Sequence, residues 1–311
     1  MDGEKKKVCI LGAGALGCLY GGLLSENPAL DVCLIARNGE KAAFLENQGI
    51  LLTEKGVERR IPVRCFASGD AIGEPDFVIV LVKAHETEGA FSANRRLFSD
   101  RTFVLTLQNG LGGAEFLRRN LPVHLFAAGI SRHNSTLLAP GRILHGGEGQ
   151  TVLGAFSPEG ETCAGHFLAL FRSSSIAAEK SAHIERTLWE KLFVNLALNP
   201  LTMLHRVKNG RIAEDASLRR EAAFLVEEAL AVARAEGIET GTLQEEMDRV
   251  CRVALATGKG TSSMLQDRLC GKKTEIDALN GMVVLLAEKH QINVPHNRQI
   301  IALVHEAEQE G

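Results

Sequence analysis

A chain of 311 residues is more than one hydrophobic core ordinarily organises, so two domains are expected. Hydrophobic residues make up 45% of it, enough for packed cores and too mixed for a membrane-embedded protein. A formal charge of −3 removes any electrostatic case for nucleic acid as a partner.

The seven cysteines are odd in number, widely spaced and form no C-x-x-C. That pattern predicts reduced thiols in a cytoplasmic protein, with no disulfide framework and no metal site. Lys5-Lys6-Lys7 and the uncharged run to Leu24 imitate a signal peptide, and Gly17-Cys18 imitates a lipoprotein cleavage site. The glycines of that run have a better explanation, so secretion is not expected. No later run is long and apolar enough to span a bilayer.

Val8-Cys9-Ile10-Leu11 reads as a short buried strand, and Ala15 to Leu24 can continue as a helix. Gly12, Gly14 and Gly17 between them give G-x-G-x-x-G, the dinucleotide fingerprint. Gly12 permits the turn, Gly14 lets a pyrophosphate approach the backbone, and Gly17 lets helix and strand pack closely. Gly12, Ala13, Gly14, Ala15, Leu16 and Gly17 are therefore the candidate cofactor cradle, with the diphosphate on the helix N-terminus. The plain alternative is a tight strand–helix turn without a ligand.

Val32-Cys33-Leu34-Ile35 is a second buried strand, followed by Arg37. An NAD site would place a carboxylate at that strand end, about 20 residues after the glycines. A guanidinium there suits a 2′-phosphate instead, so NADPH is the expected cofactor. Residues 50–66 alternate loosely, as short strands or a hairpin. Phe77 to Val82 is a strand that delivers Lys83, and Thr102 to Leu107 one that delivers Gln108-Asn109-Gly110-Leu111-Gly112. Gly12, Arg37, Lys83 and Asn109 thus all fall at strand carboxyl ends, where open parallel sheets bind ligands. Residues 123–155 read as later, antiparallel strands of the same sheet. Thr162 to Phe171 reads as a helix and Ser175 to Ala178 as a last strand.

From about Ser181 helical periodicity takes over. The expected fold is an α/β Rossmann-type N-terminal domain with a mostly parallel sheet (1–180) and an all-α C-terminal domain (181–311). The helix from Trp189 to Pro200 is apolar on nearly every side, which marks it as buried. Its polar exceptions, Lys191, Asn195 and Asn199, recur at intervals of four, each step turning about 40°. A buried polar stripe needs partners, because each unpaired group costs roughly 1–3 kcal/mol. A ligand is the natural one; a snorkelling lysine and helix-bridging asparagines are the bland ones. Pro200 cannot donate to the carbonyl of Leu196, so the helix is expected to end or kink there. Asn209-Gly210 reads as a turn. Leu218 to Glu236 is an amphipathic helix closed by Gly237, scaffold and homodimer surface. Thr261 to Asp267 can cap a helix, and Thr274-Glu275-Ile276-Asp277 resembles a capping box with Glu275 in the first helical turn.

Several of these motifs coincide in order: GAGALG, the arginine after the second strand, V-K-A, Q-N-G-L-G, W-E-K-L-x-x-N-x-x-x-N-P-L-T, S-S-M-L-Q-D and K-T-E-I-D-x-L-N-G. From Val8 to about Pro295 the chain resembles the ketopantoate reductase (2-dehydropantoate 2-reductase) family. The resemblance implies NADPH-dependent reduction of a small 2-oxo acid, 2-dehydropantoate, to (R)-pantoate in pantothenate and coenzyme A biosynthesis, in a cleft between the domains. It implies Lys191 as general acid, and Asn195, Asn199, Asn209 and Ser263 as substrate-binding. It further implies that Lys83 and Asn109 meet the cofactor and the reacting carbonyl, and that Glu275 supports the site. A cationic donor fits the chemistry, since hydride addition builds negative charge on the ketone oxygen. Glu86, where many members carry Gln, and Gly260, where some carry Asn, depart from the pattern. They leave another branched 2-oxo acid open as substrate. A non-catalytic NADPH sensor is the remaining alternative, and the retained Lys191 speaks against it.

Overall fold

The computed structural model describes residues 5–147 and 149–309. The chain divides into two compact units. The first comprises the described residues up to Gln108 together with Gly113–Ile184. The second comprises Asn109–Gly112 and the described residues from Glu185 onward.

The first unit alternates strand and helix. Its elements are β1 (Lys6–Leu11), α1 (Ala15–Ser25), β2 (Leu30–Ile35), α2 (Gly39–Gln48), β3 (Ile50–Glu54), β4 (Val57–Ile61), β5 (Arg64–Phe66), β6 (Phe77–Val80), α3 (Thr87–Ala93), β7 (Phe103–Thr106), α4 (Gly112–Asn120), β8 (Phe126–Ser131), β9 (Asn134–Ala139), β10 (Arg142–Gly147), β11 (Thr151–Gly154), α5 (Glu161–Ser173) and β12 (Ala178–Lys180). An eight-stranded sheet runs in the order β12-β11-β8-β7-β6-β1-β2-β5. Every neighbouring pair in it is parallel except β8 with β11. Its central strands are buried on both faces, as their unbroken apolar runs require. Leu11 pairs with both Ile35 and Val80, and Val80 with Thr106, so four carboxyl ends line up along one edge. Ile10, Leu19, Leu34, Ile79, Leu105, Phe167 and Phe171 form the middle of the core.

The strands of 123–155 do not all join this sheet. β8 and β11 do, but β9 and β10 form a second sheet with β3 and β4, in the order β4-β3-β10-β9. The reason is burial. β6, β7, β8 and β11 of the main sheet are buried or nearly so along their whole length, whereas β4, β9 and β10 keep exposed positions along theirs. The 50–66 segment contains the hairpin β3–β4, turned by Lys55 and Gly56 at φ 50° and 80°. The last strand is Ala178–Lys180 rather than Ser175–Ala178. Ser175 takes φ 55° to end α5, and Ile176 N donates back to Phe171 O, so these residues close the helix.

The second unit is helical: α6 (Ile184–Leu204, beginning at the boundary), α7 (Arg211–Glu214), α8 (Ala216–Ala235), α9 (Leu243–Ala256), α10 (Ser263–Leu269), α11 (Asn280–Lys289) and α12 (Pro295–Gln309). Asp215 Oδ1 caps α8 by accepting from Ser217 N and Leu218 N, and Gly237 follows it at φ 78°. Thr242 and Glu245 make a reciprocal capping box on α9. Helix α6 does not end at Pro200 but continues to Leu204. Asn280 Nδ2 supplies the Leu196 carbonyl at 3.1 Å with the donor that Pro200 lacks, and Thr202 Oγ1 bonds the Leu198 carbonyl at 2.8 Å. Among the described residues no helix is long and apolar enough to cross a membrane.

Candidate active site

In the first unit the glycine turn divides its labour as the fingerprint requires. Gly12 sits at φ 115°, and a Cβ there would lie 2.6 Å from Val82 N. At Gly17 a Cβ would lie 1.8 Å from Gly12 O, so helix and strand could not pack. At Gly14 a Cβ would meet nothing within 4 Å. The backbone at Gly14 therefore faces open space, while its neighbours are glycine for reasons internal to the fold. Gly14 is the N-cap of α1, offers no side chain to the helix's first N–H groups, and no acidic residue stands in that turn. Ala13 is buried and Ala15 and Leu16 are half-buried around it. A diphosphate fits this cradle by charge and by room.

Lys83 is half-buried and caps a short 3-10 turn, Ala84–Glu86. Gln108, quoted above only as part of a turn, holds that segment. Its Nε2 donates to Val82 O and to Thr87 Oγ1, each at 2.8 Å, and its Oε1 accepts from Thr106 Oγ1 at 2.9 Å. A Cβ at Gly113 would lie 2.3 Å from Gln108 Oε1, so that glycine makes room for the clamp. Arg37 is exposed and pairs with Glu86, Nη2 to Oε1 at 2.8 Å. Sequence reasoning had both residues and missed that they meet.

In the second unit, α6 is buried around its circumference: Leu192, Phe193, Leu196, Ala197 and Leu201 are at most 1% exposed. The polar stripe is covered too, with Lys191 and Asn195 half-buried and Asn199 buried. Three hydrogen bonds join the elements that carry the other candidates. Asn280 on α11 bonds the Leu196 carbonyl of α6. Thr202 Oγ1 of α6 lies 2.7 Å from Ser262 Oγ, the N-cap of α10. Asn209 N donates to Gly260 O at 3.1 Å.

The candidates differ in character. Asn209 is buried; its Nδ2 donates to Thr257 Oγ1 at 3.0 Å, while its Oδ1 is buried without a hydrogen bond. Such an acceptor is costly unless a water or a ligand donates to it. Of the serine pair, Ser262 is the buried cap and Ser263, the first residue of α10, is exposed. Glu275 is buried but does not begin an α-helix. It precedes a 3-10 turn, Ile276–Ala278, and Thr274 Oγ1 accepts from Ile276 N two residues on, so no capping box forms. The turn is local because Leu279 takes φ −100° and ψ −90° before α11 starts. Asn109 Nδ2 reaches Glu275 Oε2 at 3.4 Å. Gly110, at φ 76°, allows that approach: a Cβ there would lie 2.2 Å from Ala278 O.

The family model described as Ketopantoate reductase PanE/ApbA matches residues 8–158, and its C-terminal counterpart matches 183–308. A 2-dehydropantoate 2-reductase of Halobacterium salinarum is 31% identical over 306 residues, covering 98% of this chain and 100% of that one. One from Archaeoglobus fulgidus is 32% identical, covering 96% and 97%. A solved structure of D-mandelate dehydrogenase with NADH and anilino(oxo)acetate has a TM-score of 0.92 at 25% identity, covering 98% of each chain. A PanE/ApbA family ketopantoate reductase from Ralstonia eutropha has a TM-score of 0.88 at 31% identity, covering 98% and 99%. With the glycine turn inside one matched segment and the lysine helix inside the other, the chain belongs to the ketopantoate reductase PanE/ApbA family of oxidoreductases.

Proposed function

We propose that this protein reduces 2-dehydropantoate to (R)-pantoate with NADPH, in the cytoplasm, as a step toward pantothenate and coenzyme A. The observation that carries the reading is the Lys191–Asn195–Asn199 stripe, a covered polar line on a helix whose Leu192, Phe193, Leu196, Ala197 and Leu201 are buried, with Glu190 drawn off into ion pairs with Arg186 and Arg249. NADPH held at Gly12–Gly17 supplies the hydride. Lys191 stabilises the negative charge developing on the ketone oxygen and gives up the proton that completes the alcohol. Asn195, Asn199, Asn209 and Ser263 hold carboxylate and hydroxyl without adding charge, and the buried Asn209 Oδ1 suits a hydroxyl donor. Glu275 and Asn109 support the lysine from a second element, and Lys83 and Arg37 take cofactor phosphate and ribose. The test is oxidation of NADPH with 2-dehydropantoate, repeated with NADH and with a panel of branched and aromatic 2-oxo acids.

A second reading keeps the reaction and changes the acid. Gly260 offers only backbone where some family members carry Asn, and D-mandelate dehydrogenase is a structural relative across the whole chain. Best turnover on 2-dehydropantoate would remove it.

A further inference from the structure

The carboxylate that an NAD site needs is missing from the end of β2, yet the arginine that follows the strand meets a carboxylate from another loop. β1 lies between β2 and β6 in the sheet, and the glycine turn leaves its carboxyl end. Arg37 comes two residues after β2 and Glu86 six residues after β6. Their ion pair, 2.8 Å from Nη2 to Oε1, therefore joins the two loops that flank the turn. Arg37 is 79% exposed and Glu86 30%, so the carboxylate is the more covered partner and the guanidinium the more solvated one.

We propose that Glu86 is a cofactor-selectivity residue, which weakens the preference for a 2′-phosphate and admits NADH. The inference rests on Arg37 being the 2′-phosphate ligand of the proposed reaction. A 2′-phosphate brings about two negative charges. It must draw Arg37 away from Glu86 and then sit beside an uncompensated carboxylate. A ribose 2′-hydroxyl meets no such opposition: it can donate to Glu86 as it would to the acidic residue of an NAD site, while Arg37 stays paired. Glutamine at this position would leave Arg37 unengaged by charge and keep a hydrogen-bonding side chain of the same length.

The experiment is calorimetric titration of wild type, Glu86→Gln and Arg37→Ala with adenosine 2′,5′-bisphosphate, 5′-AMP, NADPH and NADH. Circular dichroism provides the folding control. These nucleotides report the 2′ position without requiring turnover. E86Q is expected to bind adenosine 2′,5′-bisphosphate and NADPH about five- to tenfold more tightly, as expected for losing an exposed ion pair and its repulsion. It is expected to bind 5′-AMP and NADH no more tightly than wild type. R37A is expected to lose the advantage of the 2′-phosphate. If E86Q leaves the ratio unchanged while R37A abolishes it, the role of Glu86 is overturned and that of Arg37 stands. If R37A also leaves it unchanged, both fall.

Discussion

Asn280 Nδ2 donates to the carbonyl of Leu196 at 3.1 Å, the acceptor that Pro200 leaves without its helical partner. Asn280 is fully buried and also donates to Asn297 Oδ1 at 2.9 Å, while Asn297 Nδ2 reaches Leu225 O and Glu228. The helix carrying Lys191 and both stripe asparagines is thus tied at its weakest point to α11 and α12. Asn280→Leu should cost about 1–3 kcal/mol by stranding that carbonyl in the core. Pro200→Ala restores an N–H to the same acceptor. In a double-mutant cycle by urea denaturation, N280L should therefore cost measurably less on the P200A background. Additive costs would mean that Asn280 does not repair the proline break.

The three glycines of the turn should separate folding from binding. Gly14→Ala places its Cβ in open space, so the melting temperature should stay close to wild type while NADPH affinity falls at least tenfold. Gly17→Ala drives a Cβ toward the Gly12 carbonyl, and Gly12→Ala adds a Cβ at φ 115° against Val82. Both should be destabilised by several kcal/mol or fail to fold. Thermal denaturation beside a cofactor titration distinguishes the cases. A Gly14→Ala protein with normal NADPH affinity would remove the diphosphate from this cradle.

Lys191→Met keeps the length and apolar stem of the side chain and removes the ammonium. Since the helix is packed on all sides, methionine should preserve folding. If Lys191 supplies the proton, kcat should fall about a hundred- to ten-thousandfold. The dissociation constant for NADPH alone should change little. A loss of only a fewfold in kcat, or an equal loss in cofactor affinity, would give Lys191 a role in packing or binding instead.

Much of this site was legible because its residues obey local rules. A glycine fingerprint between an apolar strand and a helix has few other uses, and a polar stripe on a buried helix announces itself by spacing of four. The chain-order reading also placed Lys83 and Arg37 at strand carboxyl ends. What it missed is non-local. Nothing near Pro200 says that an asparagine far along the chain, Asn280, will take over its hydrogen bond, so the sequence alone predicts an end or a kink there. The Arg37–Glu86 pair depends on strand order, which puts β6 beside β1. The departure of β10 into a second sheet is partly readable, since Arg142, His145 and the glycines Gly146 and Gly147 leave only Ile143 and Leu144 of the apolar run that a doubly covered strand would show. Glu275 looked like a helix-start carboxylate because Thr-x-x-Asp fits a cap; the backbone at Leu279 overrules it.

Acid should weaken the first unit through Glu54. Burial pushes this carboxyl up, but hydrogen bonds from Arg59 at 3.0 Å and His145 at 2.6 Å, with their charges, bring it below its ordinary value. Asp76 is likewise lowered, with Lys7 N–H and Lys6 outweighing burial. A carboxyl that titrates lower when folded than when unfolded contributes stability that is fully present above the ordinary carboxylate range. That contribution is lost as pH falls through the folded value. The urea midpoint should hold steady near neutrality and decline below about pH 4.5. Glu54→Gln removes one of the titrating groups while keeping its size. It should lower stability at neutral pH, where Arg59 and His145 lose their charged partner, and make the decline between about pH 5 and pH 3 shallower than in wild type. An acid limb of unchanged steepness in E54Q would assign the loss of stability to other carboxylates.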